Sequence, residues 1–152
     1  MKIKGFKTSA VEAGIKYSNR LDLGLIYSEK PVVTAGVFTT NQVKAAPVLL
    51  DMDRLMQGRA QAILVNSGNA NACNGEAGME AAQAISKMVS DALEIEDEMV
   101  QLSSTGVIGQ PLDVSAFSSS MDALIGNLSE DNFEQVAQAI MTTDTVSKTV
   151  YK

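Results

Sequence analysis

The pattern of apolar and polar positions predicts strands in the first part of the chain. Residues 2–8 are compatible with a short strand, and residues 21–27 alternate with a period of two, as in a strand with one buried face. The side chains that share this face are Leu21, Leu23, Leu25 and Tyr27. Pro31 interrupts the pattern, and residues 32–38, rich in β-branched side chains, predict a second strand. The connection at residues 28–30 has the length of a hairpin turn, so we expect the two strands to form a hairpin.

A period of about 3.6 residues predicts helices in the rest of the chain. The clearest helix covers residues 76–93. Its apolar face consists of Ala81, Ile85, Met88, Val89 and Ala92. Residues 47–56 predict a helix that ends at Gly58, because glycine commonly terminates helices. Asp113 and Ser129 are candidate N-caps for two further helices.

Two short apolar runs end in small polar loops, and these loops carry the candidate chemistry. Residues 62–65 predict a strand buried on both faces, followed by four asparagines and two glycines within residues 66–75. Residues 99–102 predict another strand, followed by a Ser/Thr/Gly turn around Thr105. Strand–loop–helix units of this kind predict an α/β or α+β layered fold, with a mixed sheet packed against helices. Ligands often bind at loops that follow strands, so the two loops are candidates for one shared site.

Both loops support a functional and a structural interpretation. The turn at residues 103–109 can direct successive backbone N–H groups at one point beside hydroxyl groups, which suits an oxygen that gains negative charge. It can equally be a simple turn. The asparagines of residues 66–74 could bind substrate, but asparagines also hydrogen-bond their own turns and tolerate left-handed conformations. We favour this structural role for them, as a support for the Thr105 turn.

Composition limits the classes of protein to which the chain can belong. Its 152 residues suit a single domain, residues 1–152, and 45% apolar with 20% charged residues excludes a disordered chain. A net charge of −6 disfavours nucleic-acid binding. There is no run of 18 apolar residues to span a membrane and no apolar signal region at the start, so we expect a cytoplasmic protein.

Histidine is absent and Cys73 is the only cysteine. Ser-His and Cys-His catalysis by this chain and the usual zinc sites are therefore excluded, and no metal site is expected. A nucleophilic role for Cys73 is disfavoured because no basic residue accompanies it. Any chemistry must use hydroxyls, carboxylates, lysines or backbone amides. Lys16 and Lys44 are interpreted as solvated side chains.

Segments of distinctive sequence are spread over nearly the whole chain. They are Ala13-Gly14-Ile15-Lys16, Ala35-Gly36-Val37-Phe38-Thr39-Thr40-Asn41, Val43-Lys44-Ala45-Ala46-Pro47, Asn66-Ser67-Gly68-Asn69-Ala70-Asn71-Ala72-Cys73, Ser104-Thr105-Gly106-Val107-Ile108-Gly109 and Ala139-Ile140-Met141-Thr142-Thr143-Asp144-Thr145. Each segment alone is a weak signal. In this order, they resemble the N-terminal α-chain portion of the ornithine acetyltransferase family (ArgJ-type, glutamate N-acetyltransferase).

The resemblance implies a reaction and roles for four residues. The family moves an acetyl group from N-acetylornithine to glutamate in arginine biosynthesis; some members also use acetyl-CoA as a co-substrate, and no other cofactor is implied. The precursor cuts itself before a threonine, which becomes the N-terminal nucleophile of a β chain, uses its own amine as the base and carries the acetyl group. The family's Thr-Gly pair, which forms the oxyanion hole, corresponds to Thr105 and Gly106. Its substrate contact corresponds to Thr143, with Thr142 as the alternative.

One part of the family pattern is missing from this sequence. The Lys-Gly-rich segment followed by Pro-Asn-Met-Ala-Thr, where the precursor is cut, does not occur before Lys152. The chain is therefore interpreted as a partial α chain with an incomplete part of the self-cleaving fold. We expect it to be inactive alone and to pair with the β chain of the same precursor, in an enzyme of two α and two β chains. The alternatives are a non-catalytic fragment or binding domain, and part of a related self-cleaving amidase or aminopeptidase.

Overall fold

The computed structural model describes residues 2–150, in which four strands form one mixed sheet. The strands lie in the order β1 (Phe6–Val11), β2 (Leu23–Val33), β3 (Arg59–Asn66) and β4 (Val100–Ser104). β1, β2 and β3 pair antiparallel, whereas β3 and β4 run parallel. The helices are α1 (Ala46–Arg54), α2 (Gly75–Leu93), α3 (Val114–Gly126) and α4 (Phe133–Ala139), with 3₁₀ turns at Leu55–Gln57 and Asp97–Met99. The predicted fold class, a mixed sheet packed with helices, is confirmed.

The core lies between one face of the sheet and helices α2 and α3. Leu23, Leu25 and Leu64 of the sheet are buried there with Val89 of α2 and Phe117 of α3. Burying a side chain of this size contributes roughly 1.5–3 kcal/mol. The predicted apolar face of α2 is correct at Val89, which is completely buried, and wrong at Ala92, which is exposed near the end of the helix.

Helix α4 covers the opposite face of the sheet. A Cβ atom on Gly24 would lie 3.3 Å from a methyl group of Val136 on α4 and 3.0 Å from one of Val65 on β3. The missing side chain at Gly24 therefore lets α4 approach the sheet. Leu64 and Val65 point to opposite faces of β3, as neighbours in a strand do, and both are buried. The prediction of a strand buried on both faces is confirmed.

The predicted hairpin at residues 28–30 is wrong. β2 continues through Pro31 to Val33, and the register of its pairing with β3 shifts between Tyr27 and Val32. In the irregular stretch the Ser28 hydroxyl donates a hydrogen bond to the Lys30 carbonyl at 2.7 Å. Proline is tolerated at such a bulge because no ladder N–H is required from it. The predicted strand at residues 32–38 is also wrong, since no regular element occurs between residues 34 and 45.

The helix ends are mostly as predicted. α1 has proline in its first turn, and Gly58 in the left-handed conformation follows the 3₁₀ turn after it. The Asp113 carboxylate caps α3 by accepting the Ser115 N–H at 2.9 Å. Ser129, however, does not cap the last helix. It extends the sheet instead, where its backbone exchanges hydrogen bonds of 2.8 and 3.0 Å with Thr8.

Side chains of α1 cover the outer edge of β4. The Asp51 carboxylate accepts the Leu102 N–H at 2.9 Å, and the Arg54 guanidinium donates to the Val100 carbonyl at 2.7 Å. Arg54 also binds the Asp97 carboxylate at 2.7 Å. Burial raises the pKa of Asp51 to about 6, although the Leu102 N–H and Arg54 oppose this shift. α1 therefore satisfies an unpaired strand edge and fixes the strand that leads to Thr105.

None of the helices within residues 2–150 is long and apolar enough to cross a membrane.

Candidate functional site

The two predicted polar loops lie side by side. Because β3 and β4 are parallel, both loops leave the sheet at the same edge, and the pairing continues beyond the strands as a bridge between Asn69 and Val107. The Thr105 N–H donates to the Asn66 carbonyl at 3.0 Å, and the Val107 N–H donates to the Gly68 carbonyl at 3.1 Å. The predicted turn is therefore held against the asparagine-rich loop by backbone hydrogen bonds.

Only glycine fits at position 106. Its φ is +136°, and an added Cβ would lie 2.3 Å from the Gly68 carbonyl carbon and 2.6 Å from the Asn69 nitrogen. The flanking N–H groups of Thr105 and Val107 donate to the neighbouring loop, whereas the Gly106 N–H has no acceptor within residues 2–150. The turn thus offers the Gly106 N–H, next to the Thr105 hydroxyl, as a donor without an internal acceptor. This corrects the expectation that successive N–H groups point at one spot.

The asparagines after β3 bind their own loop and its neighbours. The Asn66 side chain donates to the Asn69 carbonyl at 2.9 Å, and the Asn69 side chain donates to the Gln110 and Pro111 carbonyls at 3.2 and 3.1 Å. The Asn71 side chain donates to the Gly78 carbonyl at 2.8 Å. The favoured structural interpretation of this loop is therefore confirmed.

The predicted site residues of the two motifs meet in one cavity of about 240 Å³. Thr105 and Gly106 come from the turn after β4, while Thr142 and Thr143 come from the segment after α4. The rest of the lining consists of Lys16, Tyr17, Arg20, Gly68, Val107 and Met141. Hydroxyl groups, a free N–H and two cations thus surround a space that is large enough for part of a small metabolite.

Three lining residues with long polar or charged side chains were not predicted as site residues: Lys16, Tyr17 and Arg20. Lys16 was expected to be solvated, and it is exposed, but it also lines the cavity. The Lys16 ammonium lies 4.8 Å from the centre of the Tyr17 ring, and the Arg20 Cζ lies 5.7 Å from it. The Arg20 guanidinium also donates to the Met141 carbonyl. The only signal in the sequence was the Ala13-Gly14-Ile15-Lys16 segment, which carries the family resemblance.

Asp22 positions the segment that carries Lys16. It is 2% exposed, and its two carboxylate oxygens accept the N–H groups of Ala13 and Ile15, each at 2.7 Å. The Asp22 carbonyl in turn accepts the Ser67 N–H at 2.9 Å, which ties the segment to the loop after β3. A Cβ on Gly68 would lie 2.9 Å from the Lys16 Cβ, so glycine permits the close approach.

A larger cavity of about 570 Å³ lies elsewhere, between α2 and the residues before α3. Its lining includes the exposed Cys73 and the small side chains of Ala77, Ala81 and Ala84, together with Pro111. It contains none of the predicted site residues. The smaller cavity is the better candidate because it collects the groups that can hold a developing charge.

Known proteins resemble this chain over almost its full length. A protein named arginine biosynthesis bifunctional protein ArgJ from Desulfotalea psychrophila is 64% identical over 151 residues, which is 99% of this chain and 38% of that protein. The Geobacter sulfurreducens protein of the same name is 49% identical over 148 residues, 97% of this chain and again 38% of that protein. The chain therefore spans less than half the length of these relatives.

Solved structures share the fold. The ornithine acetyltransferase of Mycobacterium tuberculosis, crystallised with ornithine, superposes with a TM-score of 0.90 at 41% identity, over 94% of this chain and 78% of that one. The ArgJ protein of Bacillus halodurans gives a TM-score of 0.84 at 35% identity, over 94% of this chain and 75% of that one. The model of the ArgJ family matches residues 7–152, so the chain belongs to the ArgJ family.

Proposed function

We propose that this chain is the α-chain portion of an acetyltransferase that moves the acetyl group of N-acetylornithine to glutamate. The observation that carries the proposal is the cavity in which Thr105 and Gly106 meet Thr142 and Thr143. Membership of the ArgJ family supports the reaction class, since its relatives are named for arginine biosynthesis.

In the proposed first half-reaction, a threonine hydroxyl from the rest of the protein attacks the acetyl carbonyl carbon. The carbonyl π electrons move onto the oxygen, and the Gly106 N–H and the Thr105 hydroxyl donate hydrogen bonds to this oxyanion. The amine of the same threonine takes the hydroxyl proton and passes it to the departing ornithine nitrogen as the C–N bond breaks. The products are ornithine and an acetyl-threonine ester.

In the proposed second half-reaction, the glutamate amine attacks the ester carbon. The same two donors stabilise the second oxyanion. The threonine amine takes a proton from the attacking nitrogen and gives it to the threonine oxygen as the C–O bond breaks, so the products are N-acetylglutamate and the free threonine hydroxyl. Thr143, or Thr142 beside it, contacts the substrate from the segment after α4 that lines the same cavity. Since one oxyanion hole serves both halves, the donors act twice in each catalytic cycle.

The nucleophile is assigned to the part of the protein that this chain does not include. We extend the proposal to an assembly of two α and two β chains derived from one precursor, and to inactivity of residues 1–152 alone. The relatives' description as bifunctional is compatible with acetyl-CoA as a second acetyl donor. An assay of glutamate acetylation with each donor separately distinguishes an enzyme that uses only N-acetylornithine from one that also uses acetyl-CoA.

The test uses a chimera in which this chain replaces the matching 151 residues of the Desulfotalea psychrophila relative. The chimera is expected to form acetylglutamate from N-acetylornithine and glutamate, while purified residues 1–152 form none above the blank. The unaltered relative, assayed in parallel, is the control. A chimera that assembles like the relative but transfers no acetyl group would contradict the proposal, as would transfer by residues 1–152 alone.

A further inference from the structure

The cavity beside Thr105 has a positively charged wall that no carboxylate of its lining neutralises. Lys16 and Arg20 line the cavity, and no aspartate or glutamate does. Neither cation forms an ion pair within residues 2–150, although the whole chain carries a net charge of −6. Two neighbouring cations that stay unpaired in an acidic protein create a local positive field, which attracts an anionic ligand.

The Arg20 side chain is held in a fixed position. Its Nη2 donates to the Met141 carbonyl, and its Cζ lies 5.7 Å from the centre of the Tyr17 ring. A guanidinium carries five N–H donors, so several remain available after this contact. Such a group binds a carboxylate with two parallel hydrogen bonds, at little further entropic cost when it is already ordered.

Lys16 is fixed through its backbone. The Asp22 carboxylate binds the N–H groups of Ala13 and Ile15, and Gly68 allows the Lys16 backbone to pack closely against the loop after β3. The Lys16 ammonium itself has no hydrogen-bond acceptor in the described part of the chain. It therefore adds a second positive charge, beyond that of Arg20, to the lining of the cavity.

We propose that Lys16 and Arg20 form a carboxylate-binding wall that selects substrates with a free α-carboxylate. This inference rests on the proposed function, because N-acetylornithine and glutamate both carry that group. With the carboxylate on this wall, the acyl group of the substrate can lie beside Thr105 and Gly106 in the same cavity. Lys16 and Arg20 then determine specificity, while Thr105 and Gly106 contact the reacting atoms.

The experiment measures, by calorimetry, how tightly the chimera binds ornithine and its α-carboxamide, two ligands that carry no acetyl group to transfer. Arg20→Gln is expected to weaken binding of the carboxylate about 10- to 100-fold and to leave carboxamide binding nearly unchanged, since a hydrogen bond to a charged group is lost only for the former. Lys16→Gln should act in the same direction by about 3- to 10-fold, as expected for a partly exposed charge. Lys30→Gln removes the same charge from an exposed position at the far end of β2 and should change neither affinity.

Several outcomes would overturn the inference. Wild-type affinities in both Arg20→Gln and Lys16→Gln would show that the wall does not bind the carboxylate. An equal loss for both ligands would assign Arg20 a purely structural role through Met141. Equal binding of the two ligands by the unmutated chimera, or binding of neither, would also refute it. A carboxylate preference without acetyl transfer would instead contradict the proposed function and leave this inference standing.

Discussion

The loop at residues 66–75 and the wall of the small cavity differ in what their polar groups do. In the loop, the side chains of Asn66, Asn69 and Asn71 donate to carbonyls of the chain itself. In the cavity, the Gly106 N–H and the Lys16 ammonium have no acceptor within residues 2–150. In this protein, the loop with the most polar residues therefore has a structural role. The candidate site is distinguished instead by polar groups that have no hydrogen-bond acceptor within the described residues.

The largest expected effect is that of Gly106→Ala, which disrupts the packing of the cavity wall against the loop at residues 66–75. A Cβ at 2.3 Å from the Gly68 carbonyl carbon forces the turn away from the loop, and a φ of +136° is strained for alanine. We expect no measurable turnover in the chimera and a loss of about 3 kcal/mol in the free energy of unfolding. Thermal unfolding and an acetylglutamate assay measure both. Gly126→Ala is the matched control, because its Cβ would meet no atom within 4 Å; equal losses in the two variants would contradict the argument.

Thr105→Ala tests the cavity side alone. Removing one oxyanion donor should lower turnover about 10²–10³-fold, while KM and the melting temperature stay nearly unchanged. Steady-state kinetics of the chimera with varied N-acetylornithine gives both constants. Ser118→Ala removes an exposed hydroxyl from α3 and serves as the control. A normal turnover number in Thr105→Ala would remove this residue from the mechanism.

Asn71→Ala tests the loop side. Asn71 is 1% exposed, has a φ of +46°, and its side chain binds the Gly78 carbonyl and the Asn74 amide at 2.8 and 3.1 Å. Its loss should cost about 2–3 kcal/mol of stability. Denaturant unfolding should detect this loss, whereas turnover at a temperature where the variant is folded should fall far less than in Thr105→Ala. If turnover fell as far as in Thr105→Ala, the assignment of a structural role to the loop and a catalytic role to the cavity would be wrong. The control is Gln83→Ala, which removes an exposed amide from α2.

The smallest expected effect concerns Asp51, which holds the strand leading to the turn. Its pKa is raised to about 6 from 3.8, so the folded protein binds more protons than the unfolded chain between these values. The free energy of unfolding therefore falls as pH rises from about 4 to about 6. Above that range the folded protein bears the full cost of burying the ionised Asp51 carboxylate. Asp51→Asn keeps an acceptor for the Leu102 N–H without the charge. At pH 7.5 this variant should be about 1 kcal/mol more stable than wild type, a value reduced for solvent screening because the group is partly exposed. At pH 4 the two proteins should be equally stable.

Melting temperatures of Asp51→Asn and wild type across pH 4–8 measure this difference. The control is Asp53→Asn, on the exposed side of the same helix, which should keep the wild-type pH dependence. If Asp51→Asn followed the wild-type curve throughout, ionisation of Asp51 would not be the cause.

The hairpin error shows where local pattern fails. Pro31 ends a strand when only neighbouring residues are considered, because proline lacks the N–H of a sheet ladder. In the folded chain it lies in the register shift between Tyr27 and Val32, where no such N–H is needed. Ser129 was misassigned for a similar reason, since its pairing with Thr8 spans 121 residues. Both outcomes depended on partners that are distant in sequence.

The sequence by itself determined the fold class, most helix ends and the family, and it identified Thr105 and Gly106 as candidates. These follow from periodicity, capping and short motifs, which are properties of neighbouring residues. Only the tertiary structure decided that Thr142 and Thr143 share a cavity with them, that Lys16 and Arg20 also line it, and that the Gly106 N–H remains free. Proximity and hydrogen-bond satisfaction depend on how separate segments pack, and no local pattern records which donors are already used.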